Sequence, residues 1–146
     1  KVDSIDKQII QLLGDNARAS LKEIATETFL SSPAISARIA RLENEGIITG
    51  YSAQINLHKL GYHITAFINL ELSPKQKKTF YPFVKACPNI LECNCVTGEY
   101  SMLLKVAFPS TVELDGFIGE LQQFGKTYTQ IVFSTSIEPR GIQLKE

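Results

Sequence analysis

The residues best equipped for covalent, acid–base or metal chemistry are few in this chain of 146 residues: two histidines, His58 and His63, and three cysteines, Cys87, Cys93 and Cys95. Their spacing organises no reaction. Neither histidine stands in a nucleophile signature with a serine or cysteine, and no glycine-rich loop is placed to cradle a phosphate. Cys93 and Cys95 lie two apart on an expected strand, so both point to one face. A metal there needs two further soft ligands, which only the two histidines could supply. Buried structural thiols are the expectation, with no metal, no cofactor and no enzymatic activity. An odd number of cysteines without an export signal points to reduced thiols in a cytoplasm.

Arg38 and Arg41 offer a different chemistry. Guanidinium groups hydrogen-bond phosphates and guanine edges, and these two stand in a segment with helical periodicity. With Ile35 pointing inward and a step of about 100° per residue, Pro33, Ala37, Ala40, Arg41 and Asn44 fall on the outer face. Arg38 lies at its edge, and Ser36 projects sideways from the first turn. Such a face is mostly small, so it can enter a major groove closely while the two arginines reach the backbone or base edges. The plain alternative is a surface helix of a generic bundle with solvated arginines.

Three helices must position that face. Ile5, Ile9, Leu12 and Leu13 make an amphipathic helix that Asp3 can cap and that Gly14-Asp15-Asn16 stops. Ser20-Leu21-Lys22-Glu23 has the form of a capping box opening a short second helix, which ends near Thr28. After a tight turn through Phe29 and Leu30, Ser32 is expected to cap the third helix, with Pro33 at its first position. Ile35, Ile39 and Leu42 form its inner stripe, and Gly46 is its natural stop. The β-prone run Ile47–Ile55 is expected to form a wing or a pairing strand. Two short helices and a longer one in this order describe a helix-turn-helix.

Charge qualifies this reading. Seven basic and seven acidic residues occur up to Leu60, leaving eight of each beyond it, for a net charge of zero. A DNA-binding module usually carries a positive field. Here affinity would rest on a few placed groups repeated across an oligomer, with recognition helices about 34 Å apart in a dimer.

Past a linker through His58-Lys59-Leu60-Gly61 the rhythm changes. Residues 63 to 72 alternate as a half-buried strand. Ser73-Pro74 begins a helical stretch to about Ala86, either kinked at Pro82 or starting late near Thr79. Strands follow at Ile90–Thr97 and Tyr100–Phe108. Ser110-Thr111-Val112-Glu113 opens another helix, which Gly125 closes, and a last strand runs from about Tyr128 to Ile137. The order βαββαβ is ferredoxin-like: a four-stranded antiparallel sheet backed by two helices. Met102, Leu103, Leu104, Val106 and Ala107 make one strand apolar on both sides, so the uncovered face is expected to pack against a second copy. A monomer with a modestly apolar open face is the alternative.

The fold class is therefore α+β, a winged helix-turn-helix over 1–50, a linker strand over 51–62 and a ferredoxin-like domain over 63–146. No apolar run approaches the roughly 20 residues that cross a bilayer, so no membrane partner is expected.

Both halves resemble the Lrp/AsnC (feast/famine) regulators. The likeness lies in Asp3-Ser4-Ile5-Asp6, in Asp15-Asn16-Ala17-Arg18-Ala19-Ser20, and without a gap from Leu30 to Tyr51. Phe29 departs from it, standing where the family often has glycine. Thr97-Gly98-Glu99-Tyr100-Ser101 is similar to the family's Gly-x-Tyr-Asp turn, with Ser101 in place of the aspartate. The resemblance implies a sequence-specific transcription regulator that binds double-stranded DNA and senses a small metabolite, usually an amino acid. It implies homo-oligomers, a dimer assembling to a tetramer or octamer.

The expected DNA-contacting residues are Ser31, Ser32, Pro33, Ser36, Ala37, Arg38 and Arg41. By the resemblance, an effector sits between dimers, at Gly98, Glu99, Tyr100 and Ser101 and at Tyr128, Thr129 and Gln130. A hairpin turn with no ligand role is the simpler reading of the first four. A DNA-architectural protein with no effector is the competing function, and a metabolite binder indifferent to loss of residues 1–60 is another.

Overall fold

Helix starts are where this sequence is most explicit. In the computed structural model, which describes residues 1–144, Asp3 caps α1 (Ser4–Asp15) in a reciprocal capping box with Asp6. Ser20 does the same for α2 (Leu21–Thr28) with Glu23. The third helix, α3 (Ser32–Asn44), is capped by Ser31, whose hydroxyl accepts the Ala34 N–H; Ser32 is already helical and Pro33 follows it. The cap is thus one residue earlier than expected, since Pro33 is tolerated anywhere in the first turn, where no intrahelical N–H bond is lost.

The chain divides into two units, Lys1–Gln54 with the segment from Ile137, and Ile55–Ser136. In the first, Ile9, Leu13, Ile24, Ile35 and Leu42 are buried together, with Ile39 and Ile48 packed against them. Each such side chain contributes about 1.5–3 kcal/mol when taken from water. The C-terminal segment was expected to stay with the ferredoxin-like domain. Instead the Leu144 N–H donates to Gln11 on α1 at 3.0 Å.

No strand forms over Ile47–Ile55, nor over 51–62, where a short 3-10 turn (His58–Leu60) stands in place of a linker strand. The local reason is that this segment is tied to α3. The N–H groups of Ile47 and Ile48 both donate to the Leu42 carbonyl, and Gly46, at φ 75°, donates to the Glu43 carbonyl, closing the helix in a Schellman-type turn. Tyr51 reaches back to Glu43 at 2.8 Å. A β-prone run forms a strand only where a partner ladder is offered.

The second unit has the expected order: β1 (Ile64–Leu72), α4 (Lys77–Ala86), β2 (Ile90–Cys95), β3 (Met102–Phe108), α5 (Thr111–Leu121) and β4 (Gly125–Ile131). The antiparallel sheet runs β2-β3-β1-β4. Its helix-covered face is built by Ala66, Ile68, Leu70, Met102, Leu104, Val106 and Phe108 against Phe80, Leu114, Phe117 and Phe124. Pro82 lies inside α4, on an exposed position, with a 3-10 turn (Pro74–Gln76) leading in.

The last strand starts and ends earlier than expected because Gly125 opens it, where a helix stop was read. Gly125 pairs with Leu72 at φ 152°, and a Cβ there would lie 1.9 Å from the Glu71 carbonyl oxygen. Only glycine permits that approach.

Candidate functional site

Burial of Ile35 and Leu42 turns the opposite side of α3 to solvent. Pro33, Ser36, Ala37, Ala40 and Asn44 are exposed, and Ser31 is exposed at the cap; Ser32 is half-buried. None of the exposed side chains is long. The backbone of this helix can therefore approach another surface closely, and the Ser36 hydroxyl and Asn44 amide offer both donors and acceptors.

The arginines do something else. Arg38 and Arg41 turn toward the start of α1. Arg38 Nη1 donates to both Asp3 carboxylate oxygens at 2.9 Å and to Asp6 Oδ1 at 3.0 Å. Arg41 Nη2 donates to the other Asp6 oxygen, and Nη1 to the Lys1 carbonyl at 3.3 Å. Asp6 is wholly buried. Burial pushes its carboxyl up, but the Asp3 N–H and the Arg41 and Arg38 guanidinium groups outweigh that and hold it below the usual value. Arg38, with help from the Asp6 N–H, brings the exposed Asp3 down to about 2. Arg38 and Arg41 are raised in return, chiefly by their bonds to these carboxylates.

Two of the seven cations up to Leu60 are thereby matched by internal anions. Of the residues expected to contact DNA, Pro33, Ser36 and Ala37 share the exposed face, while Arg38 and Arg41 clasp α3 to α1. Asp3 and Asp6 are the participants that pattern reading missed. The signal was present: two aspartates three apart at the start of one helix, two arginines three apart along another.

The turn into α3 is also unusual. Phe29 adopts the left-handed conformation at φ 59°, the one residue other than glycine among those described to do so. The turn is closed by the Leu30 N–H donating to the Ala25 carbonyl at 3.2 Å. The Phe29 ring is 94% exposed.

A second candidate lies in the other unit, on the sheet face without helices. The turn between β2 and β3 is closed by the Val96 N–H donating to the Ser101 carbonyl at 2.8 Å, with Gly98 at φ 109°. Tyr100 leaves this turn and stacks on Tyr128 of β4, the ring centroids 6.4 Å apart and 29° from parallel. The aromatic pair links two segments that the sequence separates by 28 positions. Tyr128 and Gln130 pair with Asn69 and Phe67 and so share the uncovered face. Thr129 pairs with Ile68 and points to the helix side, apart from them. Phe67 and Leu103 continue the face, with the Lys105 ammonium 6.0 Å from the Phe67 ring centroid. It is mixed in character, less apolar than the run of hydrophobic residues in β3 suggests.

Cys93 and Cys95 pair with Leu104 and Met102, which puts both on the helix-covered side. They are not the buried thiols expected: Cys87 and Cys93 are half-buried and Cys95, on the edge strand, is exposed. Burial pushes the Cys93 thiol up, with a smaller push from Cys95, so it is a poor nucleophile at neutral pH. His58 and His63 meet through their Nδ1 atoms at 3.0 Å and are exposed. Among the described residues no helix is long and apolar enough to cross a membrane.

Comparison with known proteins matches both halves. A winged helix-turn-helix DNA-binding model matches residues 2–49, and the Lrp/AsnC ligand binding domain matches residues 65–142. The HTH-type transcriptional regulator YezC of Bacillus subtilis is 39% identical over 135 residues, 92% of this chain and 96% of that one. The solved structure of B. subtilis LrpC superposes with a TM-score of 0.90 at 27% identity, covering 95% of this chain and 99% of the other. A feast or famine regulatory protein of Mycobacterium tuberculosis, solved in complex with L-methionine, gives a TM-score of 0.90 at 30% identity, over 97% and 99% of the two chains.

Proposed function

Because this chain belongs to the Lrp/AsnC family of helix-turn-helix transcriptional regulators, we propose that it reads operator DNA with the exposed face of α3 and answers to an amino acid held at the β2–β3 turn. The observation that carries the first half is the small-residue face of Pro33, Ser36, Ala37 and Ala40, flanked by the Ser31 cap. A helix of this shape seats deeply in a major groove, and its first turn meets the base edges. Ser31, Ser32 and Ser36 hydrogen-bond bases or phosphates. Arg38 and Arg41 orient the helix through Asp3 and Asp6, and reach phosphates only by exchanging those partners.

The second half is supported by the Tyr100–Tyr128 stack beside the exposed Gly98 and Glu99. Backbone groups of the turn and the Ser101 hydroxyl suit the carboxylate and amine of an amino acid, and the two rings suit its side chain. The mycobacterial structure that contains L-methionine supports that ligand class. Copies of the chain pair across the open sheet face at Phe67 and Leu103, giving a dimer and higher assemblies in which weak contacts multiply. Three free thiols suit a cytoplasmic setting.

Selection of duplexes from a randomised library, followed by binding titrations with each of the common amino acids, tests the reading. A selected sequence bound at least about 10³-fold tighter than unrelated DNA, and shifted by one amino acid, is the expected result. Equal binding to all duplexes would instead support an architectural role.

A further inference from the structure

The turn between α2 and α3 places two costs on one residue. Phe29 occupies a left-handed conformation that disfavours any side chain and suits glycine. Its phenyl ring is 94% exposed, so packing within the protein returns almost nothing. A bulky apolar residue held in strain and in water is a signature of a contact made elsewhere. Its position says where. Phe29 lies two residues before the Ser31 cap of α3, at most about 7 Å along the chain from it. The first turn of a recognition helix is the part that meets base edges.

We infer that Phe29 is a specificity-determining residue, its ring packing on the C5-methyl group of a thymine at the edge of the site read by α3. The inference rests on the DNA-binding reading above and adds to it a residue and a base. Thymine is the base whose major-groove edge carries a methyl group beside its O4 acceptor, and a phenyl ring has no hydrogen bond to offer the polar atoms of the other three. The ring also carries no charge, so its contribution is independent of salt, unlike that of a phosphate contact.

The test exploits the conformation itself. Phe29→Gly removes the ring and relieves the backbone, so the full-length variant should melt no lower than the parent chain, and lost binding is then not lost folding. Duplexes selected by the parent protein are remade with uracil in place of each thymine in turn, which deletes only the methyl group. For the parent, uracil at one position per half-site should weaken binding about fourfold, the worth of one buried methyl. Phe29→Gly should bind the thymine duplex correspondingly more weakly, with an unchanged salt slope, and be indifferent to uracil. Phe29→Leu, which keeps an apolar side chain, should retain part of the preference.

Uracil sensitivity that is the same in Phe29→Gly as in the parent, or absent from both at every position, would overturn the assignment. Failure of the parent to select any duplex would overturn the DNA-binding reading as well, which separates the two.

Discussion

Arg41 and the fully buried Asp6 form the closest ion pair between α3 and α1, so the helix offered to DNA is anchored through one of its own arginines. Arg38 binds the second oxygen of the same carboxylate. An arginine substitution in this helix is consequently a poor probe of DNA contact, because it also leaves a buried anion short of a partner. The cleaner probes lie on the exposed face.

Ala37→Glu is such a probe. Ala37 is exposed and takes no part in the clasp itself, although it lies one helical turn before Arg41, so the variant should melt within a few degrees of the parent. A carboxylate facing the phosphates should weaken duplex binding by at least about tenfold at moderate salt. Fluorescence anisotropy with a selected duplex reads the affinity. Unchanged affinity would place the DNA on another surface.

Asp6→Asn should act twice. Loss of the buried charge leaves two guanidinium groups without their shared acceptor, and the first unit should melt lower by more than about 5 °C. Arg41 should then be free to bind phosphate, raising affinity for unrelated duplexes and steepening the salt dependence by roughly one phosphate equivalent, while Arg38 keeps its bonds to Asp3. A destabilised variant whose salt slope does not change would mean the arginines stay bound within the protein.

Asp3 sets a pH dependence whose sign is fixed. Its folded value is about 2, against an ordinary 3.8, so the unfolded chain binds the proton more readily. The stabilisation is complete above about pH 4 and fades as pH falls toward 2. Asp6, lowered in the same direction, adds to it. Thermal melts between pH 5 and 2 should show the loss, and Asp3→Asn should have a flatter profile over that window.

Much of this architecture was readable from local signals. Asp3, Ser20 and Gly46 mark helix ends by side-chain oxygens and backbone freedom, and these depend only on near neighbours. The alternation in β1, with the capping and turn signals between the later segments, gave the chain order βαββαβ and so the ferredoxin-like class. What could not be read depends on partners distant in sequence. Whether Ile47–Ile55 pairs as a strand depends on a ladder being offered, and the local hydrogen bonds to Leu42 prevail. Where the Arg38 and Arg41 side chains go depends on the start of α1 arriving beside them, which a helix wheel of α3 alone does not contain. Tyr100 and Tyr128 meet only because β1 lies between their strands.

Gly125→Ala should be severely destabilising. The added carbon would sit 1.9 Å from the Glu71 carbonyl oxygen, backbone that cannot swing aside, so β4 must leave its register with β1. A loss of roughly 3 kcal/mol is expected from strain of this kind, measurable by urea unfolding. Near-parental stability would show that β4 tolerates a shift.

Tyr128→Ala separates sensing from folding. The ring is 55% exposed and touches Tyr100, so its removal should leave the melting temperature close to that of the parent. The thermal shift produced by the responsive amino acid should shrink or vanish, while duplex binding without the amino acid is retained. A full shift in the variant would move the ligand away from the aromatic pair.

The clasp of Arg38 and Arg41 on Asp3 and Asp6 also bears on time. Charges matched at contact distance cast little field beyond a Debye length, so this unit draws DNA toward itself only weakly. Encounter with an operator should proceed at an unsteered rate, and selectivity must reside in how long each complex survives. A regulator built this way is set apart by residence, and its release becomes the step on which a bound metabolite has most to gain.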